Sequence, residues 1–265
     1  YMKRTWNLLN YWKKQQKTRL LDHVAHMTNT NLIPLFSWST ISYDIEMDQA
    51  VYANNFNQYK AGEPYAPEFL LAESTGRQVG AYPYLVHNIF KGQFKLPYDI
   101  LGIRTGEIES DIREWGMRTV HEINSGGPYC GDIPSSILSK ALYQFGYSSK
   151  NVKVWNYWSD LKAFKVSPDN VKGLLLTRAS DREMLLVLQS WNKQPVDVRV
   201  ELDSRVTGFA PGKYVYDALR NRHFEMNGNT LKLKYDFPYE TGVYIISSKN
   251  PAGDVLFEDD FNDGL

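Results

Sequence analysis

Gly102-Ile103-Arg104-Thr105-Gly106-Glu107-Ile108-Glu109-Ser110-Asp111-Ile112-Arg113-Glu114-Trp115-Gly116-Met117-Arg118-Thr119-Val120-His121-Glu122-Ile123 is the stretch from which the fold of the first part of the chain is read. It opens on an apolar run, Ile100 to Ile103, and a Thr105-Gly106 turn follows. Ile108, Ile112, Trp115, Thr119 and Ile123 then recur at the spacing that keeps one helix face dry. Thr105 is a suitable cap, and Glu107 falls in the first turn, where the helix dipole favours an anion. A strand end, a glycine turn and a helix start therefore meet beside Arg104, Glu107 and Glu109. Junctions of this kind carry the chemistry of barrels and open α/β sheets. The same residues also read as an ordinary capped helix with solvated acids.

Outward from this stretch, helical and apolar segments alternate. Residues 3–28 read as a helix, broken at Asn29-Thr30-Asn31. Leu32-Ile33-Pro34-Leu35-Phe36 is continuous rather than alternating, as in a strand buried on both faces, although Pro34 weakens a strand. It ends in Ser37-Trp38-Ser39-Thr40. Tyr43 to Tyr59 reads as a helix with acids early, at Asp44, Glu46 and Asp48. Phe69-Leu70-Leu71-Ala72-Glu73 is a further short run ending in an acid. Val79 to Phe90 suits a helix that Pro83 would kink or end. A Gly/Pro-rich loop covers 124–134, and Ser135 or Ser136 opens a helix stopped by Gly146. Val152 to Trp158 is strand-like. Strands near 32–36, 69–73, 100–103 and 152–157, each flanked by helix, make roughly half of an eight-fold barrel.

From Leu161 the texture changes to period-2 runs separated by turns. Strands are expected near 161–166, 171–178, 183–190, 195–202, 213–218, 222–226, 229–235 and 242–248. Val196, Val198 and Val200 alternate with Asp197, Arg199 and Glu201, and Leu231 and Leu233 alternate with lysines. About eight short strands with such turns imply an antiparallel sandwich. The fold class is thus α/β followed by all-β: a partial (β/α)8-type barrel plus an antiparallel β-sandwich. The expected domains are the C-terminal half of a β/α barrel over 1–160, the sandwich over 161–248, and a linker with the start of a further domain over 249–265.

Composition excludes several classes. Thirty Lys and Arg balance thirty Asp and Glu, so the basic footprint of a dedicated nucleic-acid binder is missing. No apolar run has the length of a membrane span. A single cysteine, Cys130, permits no intramolecular disulfide. Tyr1 in place of Met, and an ending that reads like a beginning, suggest a piece of a longer protein whose other barrel half lies in the same polypeptide. No signal peptide is visible in this piece.

No cofactor is expected. No nucleophile elbow, P-loop or dinucleotide fingerprint occurs. No metal motif occurs either: His23 and His26 lack the His-Glu-x-x-His frame and read as helix-surface or packing residues. A thiol nucleophile at Cys130, beside His121, has nothing to fix its ionisation. Carboxylates at strand ends remain. Glycoside hydrolysis needs one carboxyl held protonated and a second held ionised across the scissile bond. Glu73 and Glu107 are the acid/base candidates, with Asp44 in reserve. Trp38, Arg77, Tyr82, His87 and Arg104 are candidate sugar contacts, because aromatic faces stack on sugars and guanidinium groups bind their hydroxyls.

Val154-Trp155-Asn156-Tyr157-Trp158, then Phe164-Lys165-Val166-Ser167 and Leu185-Leu186-Val187-Leu188-Gln189-Ser190-Trp191-Asn192, make residues 30–248 resemble bacterial β/α-barrel glycoside hydrolases with an accessory sandwich. Phe257-Glu258-Asp259-Asp260-Phe261-Asn262-Asp263-Gly264 resembles the opening of a laminin-G or concanavalin-like module. The resemblance implies a secreted or periplasmic enzyme acting on a carbohydrate. It departs from the family in lacking half the barrel, and no family dyad maps onto these acids residue by residue. The alternative reading is a non-catalytic carbohydrate-binding or structural module. An unrelated α/β hydrolase-like enzyme is a further alternative, for which the chain offers no nucleophile.

Overall fold

A computed structural model describes residues 2–15, 24–26, 41–44, 64, 66–68, 70–71, 82–85, 105–125 and 133–249. It divides into two compact units, Tyr1–Ser110 with Met117–Asp132, and Asp111–Gly116 with Ile133–Leu265.

The first unit holds helix α1 (Met2–Gln15) and strands β1 (Val24–His26), β2 (Ile41–Asp44), β3 (Tyr82–Leu85) and β4 (Asn124–Ser125). The strands form one parallel sheet in the order β1-β2-β3-β4. Parallel neighbours need long crossovers, and helix α2 (Thr105–Thr119) lies in the last of them. The order follows the chain without reversal, whereas a doubly wound sheet reverses at its switch point. Past α2 the chain turns tightly: the Ile123 amide donates to the Arg118 carbonyl at 3.0 Å, with Glu122 left-handed at φ 53°. Met117, Val120 and Ile123 bury the inner side of this turn.

Several expectations for this unit are corrected. The helix expected over 3–28 does not extend to its end, because Val24-Ala25-His26 is β1. His26 is therefore a strand residue. Tyr43 and Asp44 end a strand rather than open a helix. Tyr82–Leu85 is a strand with Pro83 inside it. The run Phe69–Glu73, read as a strand, is helical at Leu70 and Leu71, with the Leu70 amide donating to Ala66 at 3.2 Å. Apolar runs this short carry no period, so the pattern cannot separate a strand from a buried helical turn. The runs at 32–36 and 100–103 lie outside the described residues.

The second unit contains α3 (Ile133–Phe145), β5 (Val152–Asn156), β6 (Phe164–Ser167), β7 (Val171–Arg178), β8 (Glu183–Ser190), β9 (Val196–Leu202), α4 (Ser204–Thr207), β10 (Tyr214–Asp217), β11 (Arg222–Glu225), β12 (Thr230–Tyr235) and β13 (Thr241–Ser247). Its strands form a six-stranded sheet, β11-β10-β13-β8-β7-β5, and a three-stranded sheet, β12-β9-β6. Every pairing is antiparallel. The sheets share one core: Phe164, Val198, Val200, Leu202 and Leu231 from the smaller meet Leu175, Met184, Leu186, Leu188, Val215 and Ile246 from the larger. On β9 burial alternates with sequence. Val198, Val200 and Leu202 point in while Asp197, Arg199 and Glu201 point out, so the register Val200↔Leu231 is fixed by the pattern. Each buried aliphatic side chain stabilises by about 1.5–3 kcal/mol.

Strands β8 and β13 are instead buried along almost their whole length. Their second face is covered from the helix side. The Thr241 hydroxyl lies 3.2 Å from the Ile112 carbonyl, and Gly116 lets the helix backbone approach Gln189 and Thr241. Trp115 ties this segment to α3 through its indole N–H, 3.0 Å from Ser139 Oγ. Helix α3 ends as its glycine dictates: Gly146 has φ 110°, its amide donates to Tyr143, and the Tyr147 amide donates to Leu142. Arg178 adds a bond of 2.8 Å to the terminal Phe145 carbonyl. Val152–Asn156, expected as a parallel strand of the barrel half, pairs antiparallel with β7 as an edge of the six-stranded sheet. Its aromatic content suits either setting, and only the partner strand decides.

Candidate functional site

In parallel sheets with helical crossovers, ligands collect at the carboxyl ends of the strands. Register defines that edge here. His26 pairs with Tyr43, Asp44 pairs with Leu85, and Leu85 pairs with Ser125. Asp44 is thus the last residue of β2, one position past the partner of His26. The strands β1 to β4 thus end on His26, Asp44, Leu85 and Ser125, along one edge of the sheet. Sequence reasoning kept Asp44 in reserve and assigned His26 to a helix. The signal for His26 was its position directly after Val24-Ala25.

Tyr82 opens β3 opposite Ile41, at the other edge of the sheet from Asp44. Glu107 lies in the first turn of α2, where the dipole favours its charge. Trp38, Glu73, Arg77, His87, Arg104 and Cys130 lie outside the described residues. His121 is 1% exposed, with Nδ1 2.6 Å from the Met117 carbonyl and Nε2 3.0 Å from the Pro67 carbonyl. Both ring nitrogens lie within hydrogen-bond distance of backbone carbonyls. Glu114 and Arg118 are also buried, and with His121 they recur at a spacing of one helical face. An amphipathic reading overlooks such residues, since it assigns charged side chains to the solvated side.

In the second unit a concavity of about 430 Å³ is lined by Lys162, Lys165, Glu201, Asp203, Arg205 and Asn229 among others. Its acids are engaged. Arg199 reaches Glu201 at 2.7 Å and Arg205 reaches Asp203 at 2.7 Å. Hydrogen bonds from the Arg205 side chain and backbone hold the Asp203 carboxyl down to about 2, so it cannot act as a proton donor near neutrality. Asp217, 1% exposed, accepts from Arg220 at 3.1 Å and Arg222 at 3.3 Å, and Arg220 also pairs with Glu240. Nearby, the Tyr235 and Tyr244 hydroxyls lie 3.4 Å apart. Burial pushes the Tyr244 phenol up to about 12 and raises Tyr235 as well. These groups are locked to one another, as in a structural network. Among the described residues no cluster of metal ligands occurs, and no helix is long and apolar enough to cross a membrane.

Neither protein-family models nor curated proteins give a match to the chain. Solved structures do. The chain is similar to a noncanonic maltogenic alpha-amylase, AmyB, from Thermotoga neapolitana, at 12% identity and a TM-score of 0.47, covering 90% of this chain and 58% of that one. It is similar to AmyP bound to maltotriose at 11% identity and a TM-score of 0.46, over 84% and 55%. A GH27 β-L-arabinopyranosidase from Geobacillus stearothermophilus matches at 9% identity and a TM-score of 0.24, over 30% and 17%. The chain thus spans little more than half the length of AmyB and of AmyP and a smaller share of the third.

Proposed function

We propose that the chain is part of a glycoside hydrolase that cleaves a polysaccharide or oligosaccharide with paired carboxylates at the carboxyl edge of its parallel sheet. The observation that carries this reading is the sheet itself. Its strands are parallel, they follow the chain in unbroken order, and one of them, β2, ends on Asp44 at the edge where such sheets hold substrate. The sandwich that follows is a scaffold on this reading, consistent with its mutually paired charges. Glu73 and Glu107 supply acid and base, with Asp44 as third carboxylate. Trp38, Arg77, His87 and Arg104 contact sugar, and Tyr82 does so only if substrate extends beyond the carboxyl edge.

Hydrolysis then follows the two-carboxyl scheme. One carboxylic acid protonates the departing glycosidic oxygen. The second, ionised, either attacks the anomeric carbon or takes a proton from the attacking water. Further βα units of the same polypeptide complete the barrel, a laminin-G or concanavalin-like module follows, and the enzyme is secreted or periplasmic. Glu73→Gln, Glu107→Gln and Asp44→Asn in the full-length protein, assayed on a glycan panel, test the assignment. Loss of turnover with retained glycan binding supports it. Glycan binding without any reducing-end release in the unsubstituted protein would instead make it a binding module.

A further inference from the structure

We propose that Asn227 is a site of spontaneous modification. Its side-chain amide is lost to attack by the Gly228 backbone nitrogen, which leaves aspartate or isoaspartate in the turn that carries the chain from one sheet of the sandwich to the other. Asn227-Gly228 is the one Asn-Gly pair in the sequence. It lies between β11 of the six-stranded sheet and β12 of the three-stranded sheet. Gly228 has a φ of 57°, and Asn229 does not share its sign. The Thr230 amide donates to the Asn227 carbonyl at 3.1 Å, across an antiparallel bridge between these two residues. This is a two-residue turn with glycine at its first central position, where a positive φ is required.

The chemistry makes three demands, and the turn meets each. The nitrogen of the following residue must reach the asparagine Cγ, and a side chain on that residue would obstruct it. Glycine has none, and a Cβ placed on Gly228 would find no heavy atom within 4 Å, so neighbouring segments do not shield the approach. That nitrogen must also give up its proton. The backbone bonds of this turn use the Met226 and Thr230 amides and the Asn227 and Asn229 carbonyls, and the Gly228 amide is not among them. Water must enter as well, and Asn227, Gly228 and Asn229 are all exposed.

The step balances without an oxidant or reductant. Base removes the Gly228 amide proton, and the nitrogen bonds to Asn227 Cγ. The Cγ–Nδ2 bond breaks, and Nδ2 takes up a proton and leaves as ammonia. Water then opens the five-membered ring. Addition at Cγ gives aspartate, and addition at the Asn227 main-chain carbonyl gives isoaspartate, whose backbone runs through Cβ and Cγ. One water is consumed and one ammonia released. The added backbone atom of isoaspartate falls between pinned flanks. Met226 is buried with its amide on the Lys213 carbonyl at 2.8 Å, and the Asn229 carbonyl accepts from Leu202 at 2.9 Å. The strain therefore reaches the start of β12, where Thr230 is in register with Glu201.

The test is peptide mapping by mass spectrometry of the full-length protein, kept folded at mildly alkaline pH for days. A sample digested at the outset corrects for conversion during digestion. The tryptic peptide from His223 to Lys232 is expected to gain about 1 Da, the difference between an acid and an amide, with fragment ions placing the gain on Asn227 rather than Asn229. The gain is expected before any at the other described asparagines, including Asn124 ahead of Ser125, and it accumulates faster as pH is raised. A synthetic peptide of the same sequence gives the rate without the fold. Conversion of that peptide while Asn227 stays intact in the folded protein would overturn the inference, because the turn would then be closed to the attack. Earlier conversion of another described asparagine would overturn it too.

Discussion

Gly116→Ala sets two effects of known size against each other. Gly116 sits inside α2 with no left-handed backbone, so alanine there gains helix propensity, worth about 0.8–1 kcal/mol. The added Cβ, however, would meet Gln189 Oε1 and lie 2.7 Å from both Cγ2 and Oγ1 of Thr241. Ordinary carbon contacts are about 3.5–4.0 Å. Neither neighbour is free to retreat. The Gln189 amide donates to the Ser190 and Tyr239 carbonyls at 2.9 and 2.8 Å, and its oxygen lies 2.6 Å from the Thr241 hydroxyl. Overpacking costs about 1–3 kcal/mol, and a buried hydrogen bond lost with one group left unsatisfied costs about 1–3 kcal/mol more. The net expectation is a loss of about 1–5 kcal/mol, centred near 3, or roughly 6–12 °C in Tm for a domain of this size. Urea and thermal unfolding followed by tryptophan fluorescence measure it. The cost of Gly116→Ala is expected to shrink in a Gln189→Ala background, because the atom it strikes is gone. A gain of about 1 kcal/mol, the value for an exposed helix site, would refute the close approach of α2 to β8 and β13.

Two further outcomes are expected in the sandwich. Asp217→Ala removes a buried carboxylate that accepts from Arg220 and Arg222, and is expected to cost about 2–3 kcal/mol. The loss falls below that of a fully buried pair because Arg222 is 62% exposed and Arg220 retains Glu240; an unchanged urea midpoint would contradict it. The Asp203 carboxyl is expected to titrate near 2 by NMR, against about 3.9 unfolded. Its folded value is depressed, so its contribution is present above about pH 4 and is lost as pH falls towards 2. Arg205→Ala is expected to return the midpoint towards 3.9, and a midpoint already near 3.9 in the native protein would refute the pairing.

The two halves of the chain differ in how much of them can be read from residues. In the sandwich, alternation such as Val196 to Leu202 and turns such as Asn227-Gly228 mark strands to within a few residues, because one face meets the core and the other water. The depth of burial of β8 and β13 follows from their unbroken apolar runs, yet what covers their second face does not. That depends on Gly116, a residue that local rules mark only as a weak spot in a helix. In the first unit the strands are two to four residues long, too short to show a period, and β1 was absorbed into a neighbouring helical pattern. Helix α2 was legible because its apolar spacing runs through several turns. Of the site, Asp44 was read as an acid following the run 32–36 and opening a helix, whereas it ends β2. His26 was missed because its strand was, and the contact of His121 with the Pro67 carbonyl, 54 residues away, leaves no trace in spacing.

The central claim is that carboxylates gathered at one end of a singly wound parallel sheet break a glycosidic bond. Reducing-end release from a panel of polysaccharides by the full-length protein, compared with its Glu73→Gln, Glu107→Gln and Asp44→Asn forms, tests it most directly. The account predicts release from at least one glycan, and a fall of about 100-fold or more in two of the three variants whose folding is intact. Release at the native rate in all three, or none from any glycan by the native protein, would contradict it.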